Sequence, residues 1–197
     1  KVNFGGVAPM IIYMAKTREV HCIDGLGVWP QAITPDYFQK NHNSKIPPGV
    51  LRSVVPAAPD AWITALERFG TMTVADVFAP AIEYAEKGYP IDPMLAQSID
   101  RGKANLAKYP TTAKLFLPNG QPIKAGELYR NPDYAATLRK LVDAEKQALA
   151  KKATRSQAIQ AAFDRFYKGD IAQEFERFFK ANGGVMTAAM MKATTIA

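Results

Sequence analysis

The chain has 197 residues, 48% of them apolar and 22% charged, which describes a folded unit large enough to bury a core and excludes a disordered chain. No run of about 18 apolar residues occurs, so a membrane-spanning helix is not expected, and the single Cys22 with only two histidines, His21 and His42, excludes a disulfide framework and any multi-cysteine metal site. The net charge of +7 is spread along the chain, and its densest cluster, Lys146, Lys151, Lys152 and Arg155, lies among alanines and reads as a solvated helix face rather than a nucleic-acid or membrane surface.

In chain order, strands come first. "APMIIYMAKTREVHCID" holds two short apolar runs, Met10 to Met14 and Val20 to Ile23, around Lys16-Thr17-Arg18, which predicts a β-hairpin. A flexible loop follows in "DGLGVWP", with Gly25 and Gly27 flanking Leu26 and no charge after Asp24. The proline-dense stretch from Ser44 to Pro59 is expected to be extended or looped.

From residue 60 the pattern turns helical. Asp60 is the expected N-cap of a helix with Trp62, Ala65, Leu66 and Phe69 on its apolar stripe and Gly70 as its stop. Thr73 opens a short helix through Phe78, and Pro80 is expected to begin a second one ending at Gly88, because proline breaks a helix interior. Asp92-Pro93 starts another helix, Asn119-Gly120 makes a turn followed by a loop, and Asn131-Pro132-Asp133 begins a helix through Lys146. Ile159, Ala162, Phe163 and Phe166 recur at helical spacing, and Asp170 is expected to cap a helix that stops at Gly183. No repeat, glycine-rich phosphate loop, Ser/His/Asp set or paired carboxylates on one helix face stands out. By composition and periodicity alone this is an α/β domain of unassigned role.

The order of its pieces resembles the large subunit of γ-glutamyltranspeptidases, members of the N-terminal-nucleophile (Ntn) hydrolases. "GGVAPMIIYMAKTREVHCIDG" is similar to that family's glycine-rich turn, strand, basic hairpin and second strand. "ALERFGTMTVADVFAPAIEYAEKGYPI" is the most specific portion, and "NPDYAATL", "FYKGDIAQEF" and "GGVMT" follow in the family's order, so the resemblance runs along nearly the whole chain.

The resemblance implies part of an αββα sandwich, mostly helical after residue 60 and completed by a partner chain or segment, with residues 1–197 forming part of one such domain whose upstream and downstream segments are absent. It implies amide-bond hydrolysis or acyl transfer, with a nucleophilic Thr at the N-terminus of a small subunit released by self-cleavage; the free amine of that Thr serves as its own base. Lys1 cannot take that role, and Thr194 and Thr195 lie too near the C-terminus to begin a subunit, so no catalytic residue is expected in this chain. No cofactor or metal is implied. Export to the periplasm or beyond is the expected location, with Lys1 expected to follow either a cut or an artificial boundary.

In the same family the stretch matching Asp24 to Pro30 usually reads Asp-x-Arg-Glu-x-x-Pro, its Arg gripping the α-carboxylate of a glutamyl donor. Here Leu26 stands in place of that Arg and Gly27 in place of the acid. Three readings follow. Leu26, Val28 and Trp29 form an apolar wall for a donor without that carboxylate; or the loop lies outside the site and Arg52 takes over the clamp; or Leu26 and Trp29 are core. The C-terminal "MTAAM" also departs from the family, which usually carries an acid where Met190 stands.

Overall fold

A computed structural model describes residues 4–193; Lys1, Thr194 and Thr195 lie outside the described residues. The described chain is mostly helical with few strands, and it divides into two compact units, one of residues up to Val74 and from Leu141 onward, the other Ala75–Lys140.

The first unit opens with the expected hairpin, β1 (Met10–Met14) antiparallel to β2 (Glu19–Ile23). Strand alternation divides its side chains by face. Ile23 is buried and Met10, Ile12, Met14 and His21 are half-buried on one side. On the other, Ile11 faces Cys22 and Tyr13 faces Val20 across the ladder, all four exposed, with Ile11 at 79%. A short helix α1 (Tyr37–His42) and a 3-10 turn at Val50–Arg52 interrupt the proline-rich connection to α2 (Ala58–Phe69).

Helix α2 begins earlier than the sequence suggests. Its N-cap is Ala57, and Asp60 sits inside the first turn, buried rather than capping. The reason is tertiary, because the Asp60 N–H, orphaned at a helix start, is taken up by a side chain from a distant helix. The face turned inward carries Ala58, Ala61 and Ile63, while the expected stripe of Trp62, Ala65, Leu66 and Phe69 is only half-buried.

The next helix, α3 (Val74–Lys87), is continuous through Pro80, correcting the expected break. Proline removes one backbone N–H from the ladder, and burial along one side at Val74, Ile82 and Ala85 offsets that single loss.

In the second unit, β3 (Tyr89–Pro90) leads to α4 (Pro93–Leu106), whose N-cap Asp92 accepts the N–H groups of Met94 and Leu95 at 2.9 and 3.0 Å. Helix α5 (Pro110–Phe116), which periodicity did not reveal, precedes a 3-10 turn at Pro118–Gly120 and β4 (Leu128–Tyr129), the antiparallel partner of β3. Ile91, Ile99, Leu117 and Ile123 form the core of this unit.

Helix α6 (Pro132–Ala150) runs beyond the expected end at Lys146. It leads to α7 (Arg155–Tyr167), which opens with a full capping box between Thr154 and Gln157. The inward stripe of α7 is Ala158, Ile159, Ala162, Phe166 and Tyr167, with Phe163 half-buried. In α8 (Asp170–Ala181) the N-cap is Gly169, and Asp170 is the first helical residue, ion-paired with Arg165 instead of capping. The last described helix is α9 (Ala188–Ala193), whose first N–H donates to Glu176 Oε2 at 2.8 Å. Arg155 is not solvated as expected from its cluster. Its guanidinium donates to the carbonyls of Leu66 at 2.7 Å, Glu67 at 3.2 Å and Met72 at 3.0 Å, satisfying the C-terminal end of α2.

Candidate functional site

The loop from Asp24 to Pro30 is held by backbone contacts on both sides. The Ala8 N–H donates to the Gly25 carbonyl at 2.9 Å, and the Val55 N–H donates to the Val28 carbonyl at 2.9 Å. Both glycines are demanded by this arrangement. Gly25 has φ +57°, and a Cβ there would stand 2.2 Å from the Ala8 carbonyl oxygen. A Cβ on Gly27 would stand 2.3 Å from the Val55 carbonyl oxygen and 2.4 Å from Val54 Cγ2. The position that the family resemblance gives to an acid therefore has no space for any side chain in this arrangement.

With the backbone pinned, the apolar side chains turn outward. Leu26 is 45% exposed, Val28 51% and Trp29 41%, so Leu26 and Trp29 are not part of this chain's core. Trp29 meets Phe38 of α1 edge-on at 5.6 Å, and Phe38 in turn packs against Tyr37 at 5.2 Å and His42 at 6.0 Å. Arg52 lies on the 3-10 turn three residues before Val55, and so on the segment that hydrogen-bonds the loop. Its guanidinium, however, donates to the carbonyls of Pro47 at 3.1 Å and Ile46 at 3.2 Å in its own connection. The fold thus brings the loop and the Arg52 segment together but directs the Arg52 charge back onto its own backbone.

Periodicity and composition missed three buried polar groups in this unit. Tyr167, fully buried at the end of α7, donates its hydroxyl to the Pro56 carbonyl at 2.7 Å and accepts the Asp60 N–H at 3.1 Å. Burial, reinforced by the nearby Asp60 charge and opposed by the Asp60 N–H, holds the Tyr167 phenol well above the ordinary tyrosine range. Asp60 itself is 2% exposed and accepts the Thr64 hydroxyl at 3.1 Å. Glu145 of α6, 1% exposed, accepts the Val74 N–H at 2.7 Å and satisfies the start of α3. The only local hint at Tyr167 was its place one residue after Phe166; its partners are more than a hundred residues away.

Two open clefts of the second unit, bordered by Gln97, Asp100 and Lys124 and by Lys103, Lys114 and Asn119, are lined by none of the four expected site residues. Among the described residues no helix is long and apolar enough to cross a membrane.

Comparison with known proteins identifies relatives in sequence and in fold. The chain is 33% identical over 191 residues to a glutathione hydrolase proenzyme from Bacillus subtilis, an alignment covering 94% of this chain and 29% of that protein. It is 32% identical over 188 residues to the acylase ACY 1 proenzyme of a Pseudomonas species, covering 90% of this chain and 30% of the relative. The crystal structure of cephalosporin acylase from Bacillus halodurans superposes with a TM-score of 0.79 at 28% identity, covering 97% of this chain and 34% of that one. The chain therefore spans less than a third of the length of these two curated relatives. The family described as gamma-glutamyltranspeptidase matches residues 1–193, and the chain belongs to that family of Ntn-hydrolase enzymes.

Proposed function

We propose that this chain is the large-subunit part of an amide-bond hydrolase or acyltransferase whose nucleophile is an N-terminal Thr on a separate chain, and that its acyl donor lacks the glutamyl α-carboxylate contact. The observation that carries the reading is the pinned loop Asp24–Pro30, which presents Leu26, Val28 and Trp29 outward where the family resemblance calls for a guanidinium. An apolar wall strips water from a carboxylate without a compensating bond, so an uncharged acyl group is the better fit. The hydrogen bonds of Arg52 to Ile46 and Pro47 favour this reading over one in which Arg52 supplies a relocated clamp.

Both units belong, in this reading, to one larger domain, an αββα sandwich completed by a partner chain. Its support is the outer hairpin face, where Ile11, Tyr13, Val20 and Cys22 are exposed side by side. An apolar sheet face open on one side is a surface that another element normally covers. Both curated relatives are proenzymes, which accords with self-cleavage into two chains. Export to the periplasm or beyond goes with the same reading.

Mass spectrometry of the purified full-length protein tests it. A partner chain beginning with Thr is expected, together with turnover of an acyl anilide by the assembled enzyme and none by this chain alone. One intact polypeptide with no such partner and no turnover would instead indicate a non-catalytic scaffold of the same fold.

A further inference from the structure

We propose that Tyr167 is a positioning residue for donor selection: its hydroxyl fixes the segment Val54–Pro59 and, through that segment, the loop Asp24–Pro30. The inference rests on the reading that this loop lines the acyl pocket.

The linkage is continuous. The Tyr167 ring is wedged between Phe163 and Phe166, with centroids 4.6 and 4.8 Å away, at the buried end of α7. From there the hydroxyl bonds both sides of the helix start, donating to the Pro56 carbonyl and accepting the Asp60 N–H. Pro56 has no N–H of its own, so its carbonyl is the group by which the backbone can be tied at that residue. The preceding residue, Val55, is 1% exposed and donates its N–H to Val28, while its carbonyl and the Val54 side chain occupy the space beside Gly27. The loop cannot move toward the segment, and the phenol is the side chain that ties the segment at Pro56 and Asp60 to α7. Phenylalanine would fill the same volume, so what tyrosine adds at position 167 is the two hydrogen bonds that set the height of this backbone against α7.

A merely structural hydroxyl would lower stability and leave substrate choice alone, and a comparison in the full-length enzyme separates the two. In Tyr167→Phe, hydrogen exchange is expected to accelerate in peptides covering residues 24–30 and 53–57 while α8 keeps its protection. The KM for the preferred donor is expected to rise about threefold to tenfold with kcat nearly unchanged, because the loop contacts ground and transition states alike. Ile99→Val, in the core of the other unit, serves as a stability control that leaves KM at its original value. If Tyr167→Phe does not fold, Val54→Ala loosens the same segment from Gly27 without touching the phenol, and the same rise in KM is expected. Unchanged exchange in both peptides overturns the proposal whatever the donor. Faster exchange with an unchanged KM overturns it differently, by removing the loop from the acyl pocket, and takes the proposed site with it.

Discussion

Replacing Leu26 by arginine reinstates the residue type that the transpeptidase family uses to hold a glutamyl carboxylate. Leu26 is 45% exposed on a loop tied at Gly25 and Val28, so the longer side chain is accommodated without burying its charge or displacing the backbone. A charge-assisted bond to a carboxylate contributes about 1.5 to 3 kcal/mol. Solvent screening at an exposed position reduces that to about 1 kcal/mol, or about fivefold in binding. The orienting acid of the family is missing, and it cannot be added back, because a Cβ on Gly27 would stand 2.3 Å from the Val55 carbonyl oxygen. Leu26→Arg is therefore expected to lower the KM for a γ-glutamyl anilide about fivefold and to leave the uncharged acyl anilide unimproved, whereas Leu26→Arg with Gly27→Glu is expected to lose the gain. The assay is kcat/KM for both donors in wild-type and variant full-length enzyme. A wild type that already prefers the glutamyl donor, with neither value altered by Leu26→Arg, would refute the placement of this loop and return the clamp to Arg52.

Glu145→Ala is expected to destabilise the protein by about 2 to 3 kcal/mol, because it leaves the buried Val74 N–H without its acceptor, while Glu145→Gln keeps an acceptor and loses less. Urea unfolding of both variants checks this, and equal midpoints for wild type and Glu145→Ala would contradict it. Gly25→Ala, forced to hold φ +57° against the Ala8 carbonyl, is expected to lower the melting temperature and weaken donor binding together; a neutral substitution there would mean that the loop is not pinned as described. The Tyr167 phenol titrates above its unfolded value of 10.0, so its contribution is fully present below pH 10.0 and is lost as pH rises toward the folded value, where the unfolded chain ionises and the native one does not. Tyr167→Phe should flatten the alkaline fall of stability, leaving a residual slope from Tyr129 and Tyr134, whose phenols burial also raises; an unaltered alkaline profile would speak against a buried phenol at 167.

Local chemistry was enough to predict the hairpin Met10–Ile23, the Asp92-Pro93 helix start and the inward stripe of α7, because alternation, capping and 3.6-residue periodicity act within a few neighbours. The family resemblance was legible for a similar reason, its signal lying in short blocks in a set order. The continuity of α3 through Pro80, the guanidinium of Arg155 on the end of α2 and the earlier start of α2 were decided only by tertiary structure. So were the outward turn of Leu26, Val28 and Trp29 and the return of Arg52 to its own loop. Glycine at 27 read in the sequence as a lost acid; in the fold it is the residue that lets the Val54–Val55 backbone approach. The Tyr167–Pro56 and Tyr167–Asp60 bonds join residues 111 and 107 positions apart. No local propensity encodes such a pairing, since a buried hydroxyl and an orphaned backbone group become partners only where packing removes water from both.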